Sequence, residues 1–238
     1  MYRVPPPTID RNAASLRARM LRRFHPGPSR PLKDLTLWAI AVPYIVLRQL
    51  SMLGASPVLL PDSATWRQAP NLPTHDFVSL TGEAMRGWVV PLFFALLPSD
   101  EWRMVGQFVV SVVSWLVFAT IVSRTLTVPV VRVVAFVTIL ALSCATPVAS
   151  WDRAILADSL SISLTALTLG AWIVFVRRPS IAASAVLVAT TVLWLFTKPT
   201  LFAEVSIAAV VLLTIAMFHQ RSRMTYALTG VTLAVAAA

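Results

Sequence analysis

The chain has 238 residues, 57% of them hydrophobic and 13% charged, and a formal net charge of +10. A soluble domain carries about 25% charged residues, so the composition excludes an ordinary soluble protein and points to a bilayer. A basic excess also marks nucleic-acid binding, but the placement of the charges along this chain argues for membrane topology instead.

The first 34 residues form a basic tail. Within it, RNAASLRARMLRRF places Ala13, Leu16, Met20 and Phe24 at helical spacing among arginines, the pattern of a helix lying in the membrane interface. A disordered basic tail that only sets topology is the equal alternative. The basic stretch is long and the apolar run after it approaches spanning length, so the tail reads as an uncleaved anchor.

Residues 35–238 read as a transmembrane module. Apolar runs long enough to approach the ~30 Å hydrocarbon core lie near 35–53, 105–122, 130–149, 155–176, 181–196 and 201–218. A further run, 226–238, is still apolar where the sequence stops and is expected to be a span cut short. The predicted class is an all-α polytopic transmembrane helix bundle. Its one long loop, 54–104, contains the ten-residue apolar run 88–97, interrupted by Pro91, which is too short to span and is expected to lie along the membrane. Trp66, Trp88 and Trp102 in this loop fit interface anchors better than sugar-stacking platforms.

With the N-terminus on the cytoplasmic side, the eight basic residues of the tail join Arg124, Arg132, Arg177, Arg178, Arg221 and Arg223 inside, 14 of the 20 in the chain. Arg48, Arg67, Arg86, Arg103, Arg153 and Lys198 fall outside, with eight of the ten acids. The positive-inside rule favours this orientation. It predicts an integral protein of the plasma (inner) membrane, with membrane lipids rather than nucleic acid as its surroundings. In a Cys144-free background, single cysteines at Thr74, Asp152 or Lys198 are expected to react with an impermeant thiol reagent in intact cells. A cysteine at Arg178 is expected not to, and its labelling would overturn the orientation.

Cys144 is the single cysteine, so the chain holds no internal disulfide. His25, His75 and His219 fall in separate loops without metal-ligand spacing, which argues against zinc, and no G-x-G-x-x-G or Walker A sequence offers a nucleotide cradle. Charge chemistry therefore concentrates in the exterior segments. Asp62, Asp152, Arg153, Asp158 and Lys198 all fall on that side. Asp152 and Arg153 also fit plain helix-boundary markers. Asp158 is expected one turn inside the fourth span, where Asp158, Ser161, Thr165 and Thr168 share one helix face and Ser159, Ser163, Ala166 and Gly170 form a packing stripe. An ionisable residue within a span is a functional hypothesis by default.

Four segments together resemble membrane glycosyltransferases of the GT-C type, which include protein O-mannosyltransferases and aminoarabinose transferases. RAILADSLSISLTAL resembles their R-x-x-x-x-D-x-L motif, and WLFTKPTLF their L-x-K-G segment, with Pro199 in place of the glycine. LLPDSATW resembles their first exterior loop, with Asp62–Ser63 where an Asp-Glu pair is frequent, and GWVVPLFFALL the juxtamembrane stretch after it. The resemblance covers residues 35 to 205. It implies a GT-C-like fold and a transferase of the cell envelope that moves a sugar from a polyprenyl-phosphate carrier to an acceptor at the exterior face. Asp62 would activate the acceptor or hold a divalent metal, and Asp158 would complete the catalytic site. Arg153 and Lys198, with Asp152, would bind the donor. The cofactor is otherwise unspecified. The same residues also fit a polytopic transporter with an ionisable site at Asp158, and a non-enzymatic membrane scaffold.

Overall fold

A computed structural model describes residues 32–68, 87–198, 202–218 and 223–237. The tail helix considered at residues 13–24, and Thr74, lie outside the described residues. Residues 40–238 form one compact unit; residues 1–39 form another, whose described part is the first turns of helix α1.

The helices, in order, are α1 (Leu32–Met52), α2 (Ser63–Gln68), α3 (Val89–Ala95), α4 (Asp100–Thr125), α5 (Pro129–Cys144), α6 (Thr146–Ala149), a 3-10 turn (Ser150–Arg153), α7 (Asp158–Arg177), α8 (Ile181–Leu195), α9 (Phe202–Phe218) and α10 (Arg223–Ala237). Among the described residues there is no strand, only one isolated parallel bridge between Val58 and Ala154. Three helices, α1, α4 and α7, are long and apolar enough to cross a membrane, or four if the bent pair made of α5 and residues 146–153 is one span. Helices α8, α9 and α10 have 15, 17 and 15 residues. At 1.5 Å per residue they are shorter than the ~30 Å core.

Local chemistry fixes several boundaries. Ser99 caps α4 by accepting from the Trp102 amide, and Asp100 and Glu101 in its first turn, with Arg124 in its last, complement the helix dipole. Ser180 caps α8 by accepting from the Ala183 amide at 3.2 Å.

Two junctions differ from the sequence reading. The third apolar run was expected to continue to Ala149, but α5 ends at Cys144 and the chain bends by 57°. Pro147 is the cause: it has no N–H for the carbonyl four residues back, Ser143, and its ring would clash there. The fourth span was expected from residue 155. Instead α7 begins at Asp158, because Ile155 donates its amide to the Val58 carbonyl at 3.1 Å and is held extended. Asp158 therefore sits at the first residue of the helix, not one turn inside it.

Helix α7 packs along α4 and α8, and α9 along α10. Gln107 Nε2 donates to the Leu156 carbonyl at 3.0 Å, and a Cβ on Gly170 would come within 2.9 Å of Ile121. Both pairs are separated by the same number of residues, so α4 and α7 run parallel. Ser159, Ser163, Ala166 and Gly170 are all buried, and Gly170 faces Phe118 and Ile121 of α4, the close packing that small residues permit. One apolar cluster gathers Phe175, Leu187, Leu212, Tyr226 and Leu233 from α7 to α10. A second gathers Trp66, Val90, Phe94, Met104 and Ile155. Trp66 is thus a core residue rather than an interface anchor. Trp102 remains exposed.

Candidate functional site

The N-terminal end of α7 is where the chain's distant polar segments meet. The Val58 amide donates to the Arg153 carbonyl at 2.8 Å, and the Ile155 amide to the Val58 carbonyl. These bonds fasten the segment after α1 to the turn before α7. On the other flank, the Val89 amide donates to the Phe196 carbonyl at 3.3 Å and the Trp88 and Phe196 rings lie 5.8 Å apart. A Cβ on Gly87 would fall 1.8 Å from the Phe196 oxygen, so only glycine allows the backbones this approach. The segments 58–66, 87–97, 153–158 and 194–198 are therefore joined to one another by backbone contacts and by the second apolar cluster.

Among the described residues, two ion pairs that join separate segments lie in this region, and they differ in kind. Lys198 Nζ donates to Asp158 Oδ1 at 2.5 Å, with the side chains 36% and 27% exposed. Lys198 follows a turn in which the buried Thr197 donates its hydroxyl to the Trp194 carbonyl at 2.6 Å, so its backbone is anchored while its side chain is reachable.

The other pair joins Arg48 to Asp152, each only 2% exposed. Arg48 Nη1 also donates to the Ser143 carbonyl at 3.1 Å, and Nη2 to Ser111 Oγ at 3.2 Å. The guanidinium lies 5.6 Å from the Phe108 ring centre. Asp152 Oδ1 accepts from Ser159 Oγ at 2.7 Å. Ser143 O is the carbonyl that Pro147 cannot bond, so Arg48 supplies the donor that the helix break removed. In a region without bulk water, such a carbonyl must find an internal partner.

Asp152, expected among the donor-binding residues or as a boundary marker, is sealed in this network. A cysteine at position 152 would report burial rather than membrane side, and exposed Leu59 is the better labelling position. Arg48, counted from sequence only as one more charge outside, holds α1 to α4, α5 and the turn before α7. The signal for it was present: an arginine one turn inside the end of an apolar run.

Arg153 lines an open groove of about 300 Å³ with Val58, Leu60, Ser150, Trp151 and Ala154. Its Nε is buried without a hydrogen-bond partner among the described residues. The walls of the groove are mostly apolar, with Arg153 the charged residue among them. Asp62 is exposed at the corner of a turn closed by the Ser63 amide to the Leu60 carbonyl at 2.8 Å, and by the Leu60 amide to Ser63 Oγ at 2.9 Å. It lies two residues from the groove-lining Leu60. Asp158 and Lys198 are brought into contact, whereas Asp62 makes no ion pair among the described residues. No group of three His, Cys, Asp or Glu side chains among the described residues is arranged to hold a metal.

No protein-family model, curated protein or solved structure matches this chain.

Proposed function

We propose that the chain is a GT-C-type membrane glycosyltransferase that takes its sugar from a polyprenyl-phosphate donor. The observation that supports this reading most is the contact of Lys198 with Asp158. These are the charged residues of two motifs, forty positions apart, that resemble the same family. The segment bearing Asp62 and the segment 87–97, which carry the other two parts of the resemblance, pack at the same end of α7. In this reading the N-terminus is cytoplasmic, the protein is a multi-pass component of the inner membrane, and the α7 N-terminal end faces the exterior.

The chemistry assigned to the site follows from its charges. An acceptor oxygen attacks the anomeric carbon of the sugar, the bond from that carbon to the phosphate oxygen breaks, and polyprenyl phosphate leaves. Lys198 and Arg153 stabilise the negative charge left on the phosphate, and Asp62 takes the proton of the acceptor. The groove beside Arg153 is apolar enough to accept the start of a lipid chain. Asp62 is also the residue that would hold a divalent ion, which would supply positive charge against the leaving phosphate. Arg48 and Asp152 serve the architecture around the site rather than the donor.

The reading is tested with the full chain in vesicles that contain a polyprenyl-phosphate sugar, by following transfer to a soluble acceptor. Wild type is expected to transfer. Lys198→Ala is expected to bind polyprenyl phosphate roughly tenfold more weakly, the loss of one hydrogen bond between charged groups, without a change in helix content. Equal binding by wild type, Lys198→Ala and Arg153→Ala would reject the donor site.

A further inference from the structure

The proposed donor-binding ammonium already has an anion on it, and that arrangement has a functional reading. We propose that Asp158 and the donor phosphate compete for Lys198, so that the Lys198–Asp158 pair is the empty form of the site and donor binding exchanges one anion for the other. The inference rests on the proposed function and deepens it.

Three observations carry it. First, a lysine ammonium is a compact point charge, and the Asp158 carboxylate takes one of its three donors at 2.5 Å. A phosphate oxygen reaching hydrogen-bond distance of Nζ brings a second anion within repulsive range of that carboxylate. Second, the pair is accessible, at 36% and 27% exposure, where the Arg48–Asp152 pair of the same region is closed at 2% and 2%. A ligand can reach the first and not the second. Pairs exposed to this degree hold together weakly, and a more highly charged anion with several acceptor oxygens can overcome them.

Third, Asp158 has somewhere to remain as an anion once displaced. It is in the first turn of α7, a 20-residue helix whose N-cap, Ala157, offers no side-chain acceptor. The free amides of that turn favour a negative charge. Release from Lys198 therefore does not leave the carboxylate without compensation. The consequence is an order of events: with no donor bound, the two charges neutralise each other, and a free carboxylate appears beside the sugar only after the phosphate has taken the lysine.

The test measures binding of polyprenyl phosphate to the full chain in lipid nanodiscs for wild type, Asp158→Asn, Lys198→Ala and the double variant. Removing the competitor is expected to tighten binding about fivefold in Asp158→Asn, the equivalent of one half-exposed ion pair, and to have no effect once Lys198 is alanine. Asp158→Ser, which removes the charge but keeps a polar oxygen in the first turn, is expected to behave like Asp158→Asn and serves if that variant does not fold. Equal tightening with and without Lys198 would show simple removal of a repulsive charge and overturn the exchange. Unchanged binding in Asp158→Asn and Asp158→Ser would overturn it too. In both cases donor binding by wild type leaves the proposed function standing, whereas no binding by wild type or any variant would bring down both.

Discussion

Arg48→Met is expected to destabilise the protein by about 3–5 kcal/mol, the cost of leaving a buried charge without its partner. The side chains of Arg48 and Asp152 are each 2% exposed, so water cannot replace the guanidinium, and the Ser143 carbonyl and Ser111 hydroxyl lose a donor in the same step. The turn before α7 loses its tie to α1, and with it the segment whose Arg153 carbonyl accepts from Val58. Arg48→Lys restores the charge but not the fork that reaches three acceptors, and is expected to lose an intermediate amount. The double change Arg48→Met with Asp152→Leu removes both charges and is expected to recover part of the loss, because an apolar pair needs no desolvation while the Ser143 carbonyl and the Ser159 hydroxyl stay without a partner. Denaturant titration in mild detergent, followed by helical circular dichroism, measures all three. A loss of less than about 1 kcal/mol in Arg48→Met, as for an exposed pair, would mean that the network does not hold these helices together.

Hydropathy alone located the long helices among the described residues, since a long apolar run has few alternatives to a helix. The expected 35–53, 181–196 and 201–218 stand beside the observed Leu32–Met52, Ile181–Leu195 and Phe202–Phe218. The segment from Ala145 to Ala157 was not legible in this way. It is as apolar as its flanks, and a run containing one proline still reads as a possible span. Pro147 frees the Ser143 carbonyl, and what holds the break in place is a partner 95 residues away: Arg48 reaches that carbonyl, and Val58 takes up the Ile155 amide. Sequence patterns report local periodicity, not which distant donor satisfies a freed carbonyl.

The candidate site was legible in part for the same reason. The charges of Asp158 and Lys198 stood out because each interrupts apolar sequence, and the structure joins them. Asp152 stood out equally, yet its environment is set by Arg48, Ser111 and Ser159, so two aspartates six positions apart serve different ends. Trp66 shows the limit again. A tryptophan in a membrane-side loop reads as an anchor, but contact with Val90, Phe94 and Ile155 makes it core.

Asp62→Asn is expected to reduce sugar transfer by roughly 10²–10⁴-fold, the range for loss of a general base, while polyprenyl phosphate binding stays within about twofold of wild type, a shift well under 1 kcal/mol. The substitution is clean for structural reasons. Asp62 is exposed, and its turn is held by Ser63 and Leu60 rather than by its own carboxylate. Asparagine suits such a turn as well as aspartate does, so folding and donor binding are not disturbed while the negative charge and the basicity are removed. The same change at Asp152 would be uninterpretable, because it would open a sealed network. A fall in kcat with the donor constant unchanged is the signature of a group needed in the transition state rather than in the bound complex. Full transfer by Asp62→Asn would remove this residue from the mechanism. If Asp158→Asn alone then abolished transfer despite binding the donor more tightly, the acceptor's proton would go to the carboxylate that Lys198 releases.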